Sequence, residues 1–279
     1  MDYVNKGQCF YPEGNLWICY ENNKILLKRC CIHKPFKELS LKEFYSIDDI
    51  IDYSLFDKDL TDFISNKDRC KTCYVHSDIK RVSVSISHAC NFNCYHCFFK
   101  EHKDTPEMKK AYFDTLYKIK GHQLDYILLT DAGEPFFYYY ATIDFLKSLS
   151  LNDTKNIRIT TNLSFLNEDR IKQLKNISMS THINYEFIVS INGITKETYE
   201  ATRIGGNFEK CMKNLKCLSQ YFDDIVISYV ITDIAKSETL LVKDFFKKTF
   251  NLRADLYPDY YDENIKLFFK NLEEDNKCV

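Results

Sequence analysis

The sequence is short of the residues that hinge or interrupt a backbone. Seven Gly and five Pro among 279 residues exclude long flexible linkers, and no repeat or low-complexity tract is present. No window approaches the roughly 18 uninterrupted apolar residues that a membrane span requires, which predicts a soluble chain. The opening stretch, Met1 to Gly7, lacks a basic segment followed by an apolar one, so a cytoplasmic protein is expected. No basic run offers a phosphate track. With 38 basic and 40 acidic residues interspersed, for a formal net charge of −2, nucleic acid is not an expected partner.

Against these absences stand 21 Phe, 20 Tyr and 12 Cys. The aromatic content suffices for a large core. In a reducing compartment thiols are kept from pairing, so a cysteine-rich chain there is expected to bind metal rather than form disulfides.

From residue 81 onward, strand-like and helix-like patterns alternate. Val82, Val84 and Ile86 alternate with polar residues, predicting a strand. Thr105-Pro106 reads as an N-cap and first helical position, Met108, Tyr112, Leu116 and Ile119 follow at helical spacing, and Gly121 is a stop. Strands near 124–130, 156–161, 185–191, 224–231 and 252–257 alternate with helices near 139–149, 167–176, 208–221, 237–249 and 263–272. Six βα units imply an α/β fold with parallel strands and the loops after the strands gathered at one edge, where ligands bind. A full eight-stranded barrel takes about 250 residues. Residues 81–279 therefore predict a partial (β/α)6 TIM-type barrel, open on one side to substrate. Residues 1–80 hold six of the cysteines. Strand-like pieces at Leu16–Tyr20 and Lys24–Leu27 and a helix near 47–65 read there as a small separate cysteine-rich, metal-binding module.

After the first strand comes Cys90-Asn91-Phe92-Asn93-Cys94-Tyr95-His96-Cys97. Soft thiolates suit iron–sulfur clusters, and three ligands on a four-iron cube leave one iron open to an external chelator. Three buried cysteines, or a zinc site recruiting His88, His96 or His102, are the alternatives. This Cys-x3-Cys-x2-Cys run resembles that of the radical S-adenosylmethionine superfamily. The resemblance continues in Asp131-Ala132-Gly133-Glu134-Pro135 after strand two, similar to the family's Gly-Gly-Glu-Pro, with Ala132 in place of the first glycine. Thr160-Thr161-Asn162 after strand three resembles Thr-Thr-Asn-Gly, with Leu163 where glycine is usual. Ser190-Ile191-Asn192-Gly193, then Tyr199, Arg203 and Gly205-Gly206-Asn207-Phe208, is similar to a stretch of peptide- and sugar-modifying members in which Asp stands where Asn192 is.

The resemblance implies a 4Fe-4S cluster on Cys90, Cys94 and Cys97. S-adenosyl-L-methionine would be bound by Tyr95, Ala132, Gly133, Glu134, Pro135, Thr161, Asn162, Ser190, Asn192 and Arg203. The segment at Glu134 would receive the methionine ammonium, and Ser190 and Arg203 the ribose hydroxyls and the carboxylate. It further implies reductive cleavage of the cofactor to a 5′-deoxyadenosyl radical and hydrogen-atom abstraction from substrate. Cys9, Cys19, Cys30, Cys31, Cys70 and Cys73 resemble a SPASM or twitch auxiliary-cluster module moved to the front of the barrel, with Asn22-Asn23 as its hairpin turn. Six candidates compete for four positions. Cys9, Cys30 or Cys31, Cys70 and Cys73 are the favoured set, and either an iron–sulfur cluster or zinc fits four thiolates. Cys211 shares an apolar helical stripe and reads as core. By resemblance the substrate is a peptide and the reductant a flavodoxin or ferredoxin. A sugar or alcohol substrate, or a non-catalytic metal-binding regulator, are the rivals.

Overall fold

Period-two alternation builds the strands. The computed structural model describes residues 14–29, 35–56, 58, 79–99, 102–129, 132–259 and 261–274. The amino-terminal strands are β1 (Asn15–Glu21), β2 (Lys24–Lys28) and β3 (Lys37–Ser40), followed by helices α1 (Leu41–Ser46) and α2 (Ile50–Phe56). Next come β4 (Arg81–Ser85), α3 (Pro106–Lys118), β5 (Leu124–Leu129), a 3-10 turn at Pro135–Tyr138, α4 (Tyr139–Lys147), β6 (Thr154–Thr161) and α5 (Glu168–Thr181). β7 (Asn184–Ser190), α6 (Lys196–Thr202), α7 (Phe208–Tyr221), β8 (Ile225–Ile231), α8 (Thr239–Phe250), β9 (Arg253–Pro258) and α9 (Glu263–Glu274) complete the described chain. Among these residues no helix is long and apolar enough to cross a membrane.

The strands form one sheet in the order β3-β2-β1-β4-β5-β6-β7-β8-β9. β4 through β9 are successive and parallel, each reached through a helix, which is the expected partial barrel. One face is predominantly apolar: Val82, Ile127, Ile157, Phe187 and Ile227 are at 0 % exposure and join a continuous core with the helices. The opposite face carries polar and charged residues among apolar ones. Near the strands' amino-terminal ends Arg158 donates twice to Glu186 Oε2, from Nε at 2.9 Å and NH2 at 2.8 Å, and Tyr126 donates to Glu186 Oε1 at 2.6 Å. The loops after the strands gather at the other end.

Local chemistry places the helix starts. Thr105 caps α3 by accepting from the Met108 N–H, with Pro106 at the first position. Of the helix expected near 47–65, α2 covers Ile50–Phe56, most of 57–65 lies outside the described residues, and a separate helix, α1, precedes it. Ser40 and Glu43 form a reciprocal capping box that starts α1 earlier, and Asp49 accepts from the N–H groups of Ile51 and Asp52 to begin α2. Asn22 and Asn23, at φ 51° and 61°, make the expected β1–β2 turn. The described strands of residues 1–80 do not stand apart from the barrel: β1 runs parallel to β4, from Asn15 opposite Arg81 to Cys19 opposite Ser85. Leu16, Ile18, Ile25 and Leu27 belong to the barrel's own core. Three short strands bury little by themselves, and pairing with β4 also satisfies an edge that would otherwise be open.

Candidate active site

The described residues between β4 and α3 are irregular and are held at both ends. Asp104 accepts from Ser87 Oγ at 2.6 Å and from the His88 N–H at 2.7 Å, and the Cys90 N–H donates to His102 O at 3.2 Å. The middle of this stretch is pinned to the end of α6 and the residues just after it: Asn93 N–H donates to Ile204 O and Tyr95 N–H to Thr202 O, both at 2.9 Å. Cys97 N–H turns back to Cys94 O at 3.0 Å. The sulfurs are met by donors. Cys90 Sγ lies 3.4 Å from the Phe92 N–H and 3.8 Å from Asn162 Nδ2, and Cys94 Sγ lies 3.6 Å from Arg203 NH1. Burial pushes the Cys90 thiol up to about 11, so a bound cation is what would make it a thiolate ligand.

The loop after β5 passes directly beneath this stretch. A Cβ on Gly133 would lie 2.7 Å from Ala89 O, so only glycine fits there, whereas Ala132 is accommodated at 6 % exposure. Glu134 is 4 % exposed and braces two loops. Its Oε1 accepts from Thr161 Oγ1 at 2.8 Å and the Phe136 N–H at 3.3 Å, and its Oε2 from the Asn162 N–H at 2.7 Å. Burial raises its pKa to about 7 against the pull of these donors and of Arg203. Pro135 opens the 3-10 turn that leads to α4. Leu163, in the position where the resembling motif has glycine, keeps a left-handed backbone at φ 62°. Its side chain is fully buried and its carbonyl accepts from Asn214 Nδ2 at 3.0 Å, which holds the strained residue in place.

The third wall comes from β7 and α6. Asn192, at 0 % exposure, accepts from Arg203 Nε through Oδ1 at 2.7 Å and donates from Nδ2 to Val230 O at 3.0 Å. Ser190 ends β7 opposite Ser228 of β8. Tyr95, within the cysteine loop, is half-exposed. Within the cysteine run, burial and then the charge of Arg203 hold His96 neutral, its pKa lowered to about 3. Its Nδ1 is buried without a hydrogen-bond partner among the described residues.

The loop segments carrying Cys90, Cys94, Glu134, Thr161, Asn162, Asn192 and Arg203 are therefore connected by direct hydrogen bonds, while Thr130 and Asp131 lie outside the described residues. Asn91 was missed by sequence reasoning although it sits inside the cysteine spacer. Its Oδ1 accepts from Asn162 Nδ2 at 3.2 Å and Ser164 Oγ at 3.1 Å. Thr202, also missed, donates to the Asn192 carbonyl at 2.7 Å; it stands next to Arg203, the one available signal. Of the amino-terminal cysteines only Cys19 is described. It is buried in β1, with its thiol toward Leu26 O at 3.8 Å and its pKa pushed up to about 11 by burial. Cys9, Cys30, Cys31, Cys70 and Cys73 lie outside the described residues.

The residues fit an iron–sulfur cluster with an anionic ligand beside it. Arg203 is 7 % exposed and, among the described residues, has no carboxylate in ion-pair contact. An uncompensated buried cation costs several kcal/mol, and thiolates or a ligand carboxylate would supply the missing charge. Among the described residues only Asp49, Asp52 and His122 gather three ligand atoms within 4.8 Å, so at least one pair of the three loop thiols lies farther apart than that. One zinc ion with bonds of about 2.3 Å holds its sulfurs closer together, whereas a cluster offers each thiolate its own iron.

A family model described as the Radical SAM superfamily matches residues 84–239. Among curated proteins, a Clostridium novyi cysteine-type anaerobic sulfatase-maturating enzyme is 28 % identical over 193 residues, covering 61 % of this chain and 49 % of its own length. An uncharacterised protein of Methanocaldococcus jannaschii is 24 % identical over 161 residues, covering 57 % of this chain and 50 % of its own. The chain thus spans about half the length of the curated relatives it matches. Among solved structures, Streptococcus suis SuiB superposes with a TM-score of 0.51 at 15 % identity, over 71 % of this chain and 47 % of that one, a likeness of fold. Because the family match spans more than half of the sequence and includes the cysteine loop, Glu134, Asn192 and Arg203, the chain belongs to the radical SAM superfamily of enzymes, whose members use a 4Fe-4S cluster and S-adenosylmethionine.

Proposed function

We propose that this chain modifies a peptide or protein substrate by hydrogen-atom abstraction, with Cys90, Cys94 and Cys97 holding the cluster. When bound, cluster and cofactor supply a 5′-deoxyadenosyl radical for that abstraction. The protein's part is to bind and orient. Arg203 receives the cofactor carboxylate, Glu134 and the Gly133 backbone face its ammonium, Ser190 meets the ribose, and Tyr95, Ala132, Pro135, Thr161 and Asn162 complete the wall. The observation that carries the reading is the buried Arg203 guanidinium, 3.6 Å from Cys94 Sγ and free of any carboxylate ion pair among the described residues. A peptide is favoured because a relative matching 61 % of this chain is named for maturing sulfatases, which are themselves proteins. Cys9, Cys30 or Cys31, Cys70 and Cys73 are assigned an auxiliary cluster, and a flavodoxin or ferredoxin the role of reductant.

The test is anaerobic reconstitution with iron and sulfide, followed by electron paramagnetic resonance with and without S-adenosylmethionine and assay of 5′-deoxyadenosine. A spectrum that the cofactor leaves unchanged, with no cleavage product, overturns the reading. Mass spectrometry of candidate peptides against sugars and alcohols, each with the reduced enzyme, then separates peptide from small-molecule substrates.

A further inference from the structure

A buried guanidinium is ordinarily held by a carboxylate. Arg203 is held by an amide. Asn192 accepts its Nε–H at 2.7 Å, and the amide cannot be turned around, because the other side of the group faces Val230 O, to which Nδ2 donates at 3.0 Å. The backbone at this position is equally fixed. The Asn192 carbonyl accepts from Thr202 Oγ1 at 2.7 Å, and at the next residue a Cβ would lie 2.3 Å from Tyr199 N. Position 192 therefore has to donate toward β8 and accept from Arg203 at once, which asparagine does and aspartate, with two acceptor oxygens, does not.

The electrostatic consequence is larger than the hydrogen bond. A carboxylate at 192 would neutralise Arg203, whereas the amide aims it and leaves its full positive charge. That charge has few other outlets among the described residues. NH1 donates to Cys94 Sγ at 3.6 Å, and both Glu134 oxygens are already taken by Thr161, Phe136 and Asn162. The geometry points to Asn192 as a positioning residue that keeps Arg203 charged and unpaired, for the Cys94 thiolate and for an anionic ligand beside it. This rests on the reading of the site given above. A donor to a ligand sulfur raises the reduction potential of a cluster, and a retained cation favours binding of a carboxylate.

Two variants of the reconstituted full chain separate charge from aim. Asn192→Asp is expected to keep its iron and sulfide content, to weaken S-adenosylmethionine binding by about tenfold, and to shift the midpoint potential of the cluster to more negative values in a paramagnetic-resonance redox titration. Asn192→Ala keeps the charge and loses the aim, so its dissociation constant is expected to rise by roughly threefold, with a negative shift of the potential smaller than that of Asn192→Asp. An Asn192→Asp protein with wild-type affinity and potential overturns the inference. If that variant fails to hold iron, Asn192→Ala decides alone, and wild-type affinity there overturns the positioning role. A wild-type chain that binds no cofactor refutes the site assignment itself, a result that neither variant imitates.

Discussion

Cys19 and Cys94 are both cysteines in or beside the sheet, and they are held in opposite ways. Cys19 lies inside β1, its neighbours fixed by the ladder to β2 and β4, and its sulfur faces a carbonyl acceptor, Leu26 O. The nearby Lys28 ammonium also reaches this sulfur, but its charge is shared with Glu21 at 3.0 Å. Cys94 lies in a loop, and its sulfur faces a cationic donor, Arg203, that has no carboxylate ion pair among the described residues. The first environment favours a thiol that gives its proton to a carbonyl. In the second the sulfur receives a hydrogen bond from a guanidinium. Burial alone does not distinguish strand from loop, since it drives Cys19 and the loop's Cys90 to the same value of about 11. The orientation of the surrounding dipoles does.

The most severe way to break this contrast is to remove the loop thiols. Replacing Cys90, Cys94 and Cys97 together by Ala is expected to abolish reductive cleavage of S-adenosylmethionine while metal bound by the amino-terminal cysteines remains. Iron and zinc analysis of the purified triple variant, beside a cleavage assay, checks both halves. Complete loss of metal from a folded protein would mean that the two cysteine groups share one site.

The next effect concerns the charges around the loop. Arg203→Ala and Glu134→Gln are each expected to weaken cofactor binding by about 1.5–3 kcal/mol, roughly ten- to a hundred-fold, with iron content near wild type. Glu134 adds a pH signature. Its folded pKa is raised to about 7 by burial from an ordinary 4.5, so between these values the folded protein carries a proton that the unfolded chain has released. Stability of the cofactor-free protein should therefore fall as pH rises from about 4.5 to about 7 and then level off. Affinity for the cofactor's ammonium should run the other way, weakening as pH drops through about 7. Chemical denaturation and cofactor titration at several pH values test this, and Glu134→Gln should flatten both profiles.

Much of this geometry was visible in the sequence where the signal was local. The alternation of Val82, Val84 and Ile86, the Thr105-Pro106 helix start, the Asn22-Asn23 turn and the cysteine spacing each depend on neighbours a few residues apart. What was not visible is long-range or weakly patterned. β3, from Lys37 to Ser40, has one inward apolar residue, Leu39, and is a strand because β2 offers it an edge. α6 is a two-turn helix between Thr195 and Arg203 whose periodicity is too brief to read. The grip of Thr161 and Asn162 on Glu134, and of Arg203 on Cys94, joins residues far apart in the chain. Sequence reasoning named these residues by resemblance without giving their contacts. The early start of α1 was legible in principle, since Ser40 and Glu43 spell a capping box.

A smaller effect tests how rigidly the loop after β6 supports the site. Leu163 holds a backbone that costs a non-glycine residue about 1–2 kcal/mol, yet its side chain is fully buried, and loss of such a side chain costs about 2–5 kcal/mol. Leu163→Gly relieves the first and incurs the second, so the protein is expected to be destabilised by roughly 1–3 kcal/mol, measured by denaturant unfolding. A stabilised variant would mean that backbone strain, rather than packing, dominates this corner.

The smallest expected effect returns to Cys19. Its sulfur is buried, and its contacts are a carbonyl and the Lys28–Glu21 pair, an arrangement that asks for a small apolar residue more than for a metal ligand. Cys19→Ala removes one sulfur from a ladder position and leaves every backbone bond of β1 in place. Destabilisation of about 1 kcal/mol is expected, in the range for deleting a small buried group, with iron, sulfide and zinc content equal to wild type. Chemical unfolding and metal analysis of the same preparation give both numbers. Loss of metal with the fold intact would place Cys19 among the ligands of the amino-terminal group. The thiol that faces a carbonyl in β1 would then have to turn its sulfur away from Leu26, and the contrast between the two cysteines would become one of occupancy rather than of environment.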